Sequence, residues 1–336
     1  MILSRWMSSI SLSATNETKQ QGRQPRPSLA IRQKQDRTAR RAFALLAFLP
    51  VALILLITVA LVVRSWPILE QYSLRELLTG TVWKPMKGLF GFWPFIAGTL
   101  WVTVAGVGLA VPPCILTAIY LSEYASTTTR AILKPLLDIL AAIPSVVYGV
   151  WGMVAIVPFV GNVLNPWFGK WFGYIPLFAS NQPTGYSILA GAIVLAVMIA
   201  PFIVAVTYEV LRTIPEDWRH ASLGLGATRW QTMRRVIYRQ ALPGMIASVV
   251  LGTSRAFGET MAVLMVVGNV AQIPTSIFDA AYPLPALIAN NYGEMMSIPL
   301  YDAALLGAAL ILLVMILIFN IASTLVLQRM MGRNWV

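Results

Sequence analysis

The sequence predicts an all-α membrane protein of six transmembrane helices with both termini cytoplasmic, and three observations predict it. Six apolar stretches are each long enough to cross a bilayer. The 336 residues are 57% hydrophobic and only 11% charged, a balance foreign to ordinary soluble domains. Lysine and arginine are also unevenly shared. Of the 25, 19 fall on the side of the amino terminus and five on the other, with Arg255 inside a span. That asymmetry follows the positive-inside rule and places both termini in the cytoplasm.

Residues 1–42 come first, polar and rich in Ser, Gln and Arg, with nine basic residues against Glu17 and Asp36. They hold no apolar core of signal-peptide length and read as a disordered cytoplasmic tail. Arg37, Arg40 and Arg41 would meet anionic lipid just before the membrane. The six-helix domain then fills 43–336. Its spans are expected near Phe43–Val63, Phe95–Tyr120, Leu133–Val160, Tyr186–Thr207, Met245–Gly268 and Ala303–Leu327. Pro112, Pro113, Pro144 and Pro201 lie inside them; they serve either to kink helices toward a cavity or simply to pack.

The external loops follow from this order. Trp167, Trp171 and Tyr174 in the second suit an interfacial belt. The third, Asn269 to Asp302, carries Asp279 and Glu294, no basic residue, and Pro274, Pro283, Pro285 and Pro299. It reads as a shaped cap with a short helix near Ala286–Asn290.

On the cytoplasmic side, Leu211 to Pro243 is the long insertion. Thr213-Ile214-Pro215-Glu216 has capping-box spacing, which starts a short helix that stops at Gly224 and Gly226. Thr228-Arg229-Trp230-Gln231 starts a second helix in the same way. It places Trp230, Met233 and Ile237 on one side, and Leu242-Pro243-Gly244 ends it before the fifth span.

That span carries the chemistry. Arg255 and Glu259 lie near its middle, four residues apart and on one helical face with Ser248, Gly252 and Ala262. Charge at membrane depth costs a few kcal/mol, so it marks either an ion pair locking two helices or a substrate path. A guanidinium presents paired N–H donors that match an oxyanion. Other site chemistry is thin. Cys114 alone makes no intramolecular disulfide, and one histidine, His220, builds no protein zinc site. The net charge of +12 is distributed as membrane topology rather than as a nucleic-acid surface.

At the long loop a resemblance emerges. HASLGLGATRWQTMRRVIYRQALPG resembles the cytoplasmic EAA loop of ABC importer membrane subunits, matching at Ala221, Ser222, Gly226, Leu242 and Pro243. His220 stands where that motif has an acid. GTLWVTVAGVGLAVPPCILTAIYLSEYA, IPSVVYG and SRAFGETMAVLMVVGN are similar to the phosphate-importer permease of the PstC type, over roughly Gly98 to Leu327.

The resemblance implies a type I ABC importer permease fold and alternating access for inorganic phosphate, with no cofactor and no metal. It implies a second phosphate permease, a cytoplasmic ATPase dimer and an extracytoplasmic phosphate-binding protein. Arg255 and Glu259 become the substrate path, and Glu216, His220, Ala221, Ser222 and Gly226 the ATPase coupling. With no GxxxxGK[ST] loop in the chain, ATP hydrolysis is expected in a separate subunit. Three alternatives stay open: a permease for sulfate or molybdate, a secondary transporter or channel, and a membrane scaffold in which the charged pair is structural.

Overall fold

The computed structural model describes residues 29–179, 184–294, 298 and 300–333. The chain forms two units, Met1–Val59 and Ala60–Val336. Residues 1–28 of the expected tail, and Pro299 of the third external loop, lie outside the described residues.

Helix α1 runs Leu29–Gln71, so residues 29–42, expected as disordered tail, are helical. The reason is local. AIRQKQDRTARRA consists largely of good helix formers, and it prolongs the apolar helix at little cost in propensity. Within the first unit Phe43, Leu45 and Leu56 are 69%, 73% and 66% exposed. A helix apolar on every side suits contact with lipid.

In the second unit, Ser73 and Glu76 form a capping box that starts α2 (Leu74–Thr79). Strands β1 (Trp83–Lys84) and β2 (Leu89–Phe90) pair antiparallel, Trp83 opposite Phe90. Helix α3 (Trp93–Ile119) passes through Pro112 and Pro113 and ends in a π turn, Tyr120–Tyr124. Next come α4 (Thr127–Ala142) and α5 (Ser145–Phe172), the latter carrying π turns at Gly152–Ile156 and Val160–Leu164. Helix α6 (Ile188–Arg212) precedes the short cytoplasmic-loop helix α7 (Glu216–Gly224). Helix α8 spans 229–257, with a π turn at Met233–Ile237, and is followed by α9 (Met261–Leu264). Helices α10 (Leu284–Asn291) and α11 (Tyr301–Arg333) complete the order.

Among the described residues, five helices are long and apolar enough to cross a membrane by length and composition: Arg37–Gln71, Trp93–Tyr124, Ser145–Phe172, Ile188–Arg212 and Tyr301–Met330. The third and fifth expected spans are broken. Ile143 is extended, with ψ 129, because the residue before Pro144 is driven out of the helical region; this separates α4 from α5. The fifth is interrupted after Phe257, where Gly258 and Glu259 leave the helix.

Helix α6 is the axis of the main core. Ile188, Leu195, Ile199, Ile203 and Leu211 are fully buried, packed with Val102, Ala110 and Cys114 of α3 and Met233, Ile237 and Met245 of α8. A second cluster holds the other end of the unit. Phe92, Phe95, Leu284, Leu287, Ala304 and Ile68 close around Trp83, whose ring meets Phe95 edge-on at 5.0 Å. The short helix expected near Ala286–Asn290 is α10. Asp279 folds the loop before it, accepting the Thr275 and Ser276 amides at 2.9 Å each.

Candidate functional site

Two places in the second unit hold the residues singled out by the sequence. The first is the break after α8. Gly258 and Glu259 close the helix end by donating to Arg255 O and Ala256 O, both at 3.2 Å. Beyond the break, Glu259 Oε1 accepts the Ala262 amide at 3.2 Å, so the carboxylate serves the first turn of α9. Arg255 is exposed, its guanidinium 5.9 Å from the centre of the Phe202 ring on α6. Among the described residues the ion pairs are Lys134–Glu209 and Arg219–Glu123; Arg255 and Glu259 do not form one.

Of the expected common stripe, Ser248, Gly252 and Arg255 share one unbroken helix, and Glu259 and Ala262 leave it at the break. Ser248 is buried, with its hydroxyl 2.7 Å from Thr207 on α6. A Cβ at Gly252 would stand 2.6 Å from Ile203 Cγ1. The small residues thus seat α8 against α6, the helix whose Phe202 ring also lies under the Arg255 guanidinium. Ala262 belongs to the far side of the break and lies against Gly149, where an added Cβ would come within 3.2 Å of its Cα. The glycine of IPSVVYG therefore admits the segment that follows Glu259. Ser254 adds a bond to Asn320 of α11 at 2.8 Å, so the helix end bearing Arg255 is fixed from two directions.

The second place is the cytoplasmic hairpin. The expected capping box at Thr213–Glu216 is absent. Pro215 precedes α7 without a side-chain cap, and the Thr213 hydroxyl donates back to Val210 O at 2.7 Å. A threonine close to a preceding carbonyl satisfies it in preference to the next helix. At Thr228–Gln231 the capping box does form, with both reciprocal bonds present. Gly226 turns the chain between them with φ +83, a left-handed value suited to glycine. Met233 and Ile237 are buried as expected, but Trp230 is 56% exposed. Leu242-Pro243-Gly244 does not end α8; the helix continues through it, so the hairpin is joined to Arg255 by unbroken helix.

Glu216, His220 and Ala221 are exposed, and Ser222 is half-buried with its hydroxyl 2.9 Å from Thr232. Trp218, Leu223 and Leu225 add apolar surface, 43%, 40% and 90% exposed. None of the side chains of α7 is fully buried. A further hold is Arg219, which sequence reasoning missed. Its Nη2 meets Glu123 Oε1 at 2.8 Å and Leu211 O at 3.0 Å, and Nη1 donates to Ile214 O at 2.8 Å. Arg130 caps the same end of α3, donating to Leu121 O at 2.8 Å and Ser122 O at 2.7 Å. A cavity of about 360 Å³ beside them is lined by Glu123, Arg130, Glu216, Arg219, His220 and Arg229.

Comparison with known proteins bears on the chain as a whole. Residues 114–332 match the family model of binding-protein-dependent transport system inner membrane components. A phosphate transport system permease protein PstC of Mesorhizobium japonicum is 34% identical over 320 residues, covering 91% of this chain and 97% of that one. Its namesake in Haemophilus influenzae is 35% identical over 291 residues, covering 86% and 90%. Among solved structures, a bacterial ABC transporter involved in import of the acidic polysaccharide alginate matches with TM-score 0.52 at 18% identity, over 88% of this chain and 99% of that one. That likeness concerns the fold, which is the type I ABC importer permease fold. The chain belongs to the binding-protein-dependent transport system inner membrane component family, as a multi-pass membrane permease component of an ABC transporter and not its catalytic subunit.

Proposed function

We propose that the chain is a transmembrane subunit of an ATP-driven importer of inorganic phosphate, working by alternating access beside a second, similar permease. The observation that carries the reading is Arg255. It is a guanidinium at the end of a helix fixed to α6 and α11, exposed, and engaged in no ion pair among the described residues. Two parallel N–H donors on one planar group suit the oxygens of a tetrahedral oxyanion. The permeases named for phosphate transport that this chain resembles support that choice of oxyanion.

In this reading both termini are cytoplasmic and α8 with its continuation makes the sixth crossing. The second permease covers the exposed side of Arg255, which places the path between the two subunits. An ATPase dimer receives α7 through Glu216, His220, Ala221 and Ser222, with Gly226 shaping the turn. The exposed Trp218, Leu223 and Leu225 give that contact its apolar part. An extracytoplasmic phosphate-binding protein delivers the substrate to the opposite face.

The test is to co-purify the assembly, place it in lipid and measure ATP hydrolysis with and without phosphate and the binding protein. Stimulation by phosphate supports the reading. Stimulation by sulfate or molybdate in its place replaces the substrate, and transport that needs no ATP replaces the class.

A further inference from the structure

We propose that the Arg219–Glu123 pair is a strut that carries movement of α7 into the cytoplasmic end of α3. The inference rests on the proposal that α7 docks on an ATPase.

A docked helix can drive a membrane domain only through groups that hold it to that domain. Helix α7 offers no fully buried side chain for this, and its Ser222–Thr232 contact ties it to α8, whose unbroken helix runs on to Arg255. Arg219 is the tether toward α3, and its side chain is 18% exposed against 12% for Glu123. One guanidinium there serves three stretches of chain. Leu211 O and Ile214 O, at the end of α6 and in the turn after it, accept two of its N–H groups and fix its plane. Its remaining edge faces the Glu123 carboxylate, with Nε 3.2 Å from Oε2 and Nη2 2.8 Å from Oε1. Lysine could not satisfy all of these acceptors with the same fixed geometry.

The receiving end is braced as well. Glu123 sits in the π turn closing α3, Ser122 Oγ donates to its Oε1 at 3.0 Å, and Arg130 bonds the carbonyls of Leu121 and Ser122. A push on α7 therefore arrives at a fixed point of α3 rather than at a frayed terminus. Further along α3, Pro112 and Pro113 each remove a helix hydrogen bond and supply a place to bend. Arg219 and Glu123 are thus positioning residues, not substrate contacts.

The experiment uses the whole assembly in lipid: both permeases, the ATPase pair and the binding protein. Hydrogen–deuterium exchange over 116–124 and 216–224 is compared with and without MgATP, alongside phosphate moved per ATP hydrolysed. Arg219→Gln and Glu123→Gln should retain the ATPase and the MgATP response at 216–224 but lose the response at 116–124. Phosphate moved per ATP should fall roughly tenfold, and the double variant should be no worse than either single one, as for one shared interaction. If Arg219→Gln does not assemble, Arg219→Lys and Glu123→Asp, which keep both charges, should assemble with a weakened response at 116–124. A full response at 116–124 in these variants, or additive losses in the double variant, overturns the strut. So does loss of the ATPase from every one of them, which would make the pair a brace for docking alone. The exchange readout needs ATP but not phosphate. A wild-type assembly that shows the response without phosphate transport would refute the substrate assignment and leave the strut standing.

Discussion

Arg255 and Glu259 stand on opposite sides of a helix break, the guanidinium lying over the Phe202 ring and the carboxylate accepting the Ala262 amide at 3.2 Å. The two charges are therefore held by different neighbours, so each can be altered without dismantling the other. That separation makes their roles experimentally distinct.

Replacing Arg255 with Gln should abolish the paired, charge-assisted donors while leaving the Ser254–Asn320 and Phe257–Phe319 contacts that position the helix end. Charge-assisted hydrogen bonds contribute roughly 1.5–3 kcal/mol each, so loss of even one should lower phosphate uptake in vesicles by at least roughly tenfold. The assembly should still purify intact. Uptake within twofold of wild type would remove Arg255 from the path.

Glu259→Gln separates two roles for the acid. Glutamine retains a carbonyl able to accept the Ala262 amide, so α9 should persist. A carboxylate can accept a hydrogen bond from the proton that phosphate carries near neutral pH, and sulfate offers it only lone pairs. Mismatches of this kind discriminate because buried polar groups are left unpaired. In a transporter variant that works without the binding protein, sulfate should compete measurably better against phosphate after the change. Unchanged competition with a raised resting leak would identify Glu259 as a counter-charge instead.

Gly226 isolates a backbone effect. An added Cβ there meets nothing within 4 Å, so steric crowding is not the issue; the φ of +83 is. Gly226→Leu should strain the turn by about 1–2 kcal/mol and lower coupled ATP hydrolysis severalfold, while the permease still inserts. Gly226→Asn, which tolerates this region, should lie close to wild type. Equal loss in both variants would show that the turn's conformation is not what matters. His220→Glu, restoring the usual acid of the motif on an exposed position, should be tolerated or tighten ATPase co-purification.

Gly252 tests the packing of α8 on α6. In Gly252→Ala the new methyl would sit 2.6 Å from Ile203 Cγ1 and 2.8 Å from Cδ1. Overpacking of this sort costs roughly 1–3 kcal/mol, so the melting temperature of the detergent-purified subunit should drop. Ile203→Ala in the same chain should recover part of the loss. A Gly252→Ala variant as stable as wild type would mean that the helices separate freely here.

Topology can be read by labelling single cysteines after replacing the buried Cys114. A reagent confined to the outside should reach the exposed Val270 and Tyr292 and miss the exposed Trp218 and Trp230. Labelling of Trp218 or Trp230 positions from outside would invert the arrangement and remove the ATPase contact with it.

Much of this was legible in the chain because long apolar helices announce themselves by composition alone. The Thr228–Gln231 cap, the left-handed Gly226 and the short helix α10 were legible too, since each depends on neighbours a few residues away. The break after Phe257 was not. SRAFGET is uniformly compatible with a helix except for one glycine, and the segment past the break packs through Ala262 on Gly149, over a hundred residues earlier in sequence. Arg219 and Glu123 were hidden for the same reason. They are 96 residues apart, and no local pattern distinguishes a partly buried pair from two solvated charges. Residues 29–42 are the opposite case: their polarity suggests disorder, while their propensity favours continuation of α1.

The π turns at Tyr120–Tyr124, Gly152–Ile156, Val160–Leu164 and Met233–Ile237 each hold one residue more than an α-helical turn would need. A helix that has already absorbed an extra residue can lose it again without changing which residues face the core on either side. These four stretches are therefore where single-residue deletions should be survivable in evolution and in the laboratory. The same deletion placed in α6, which has no such turn between Ile188 and Arg212, would rotate every residue beyond it by about 100° and carry its buried face away from α3 and α8.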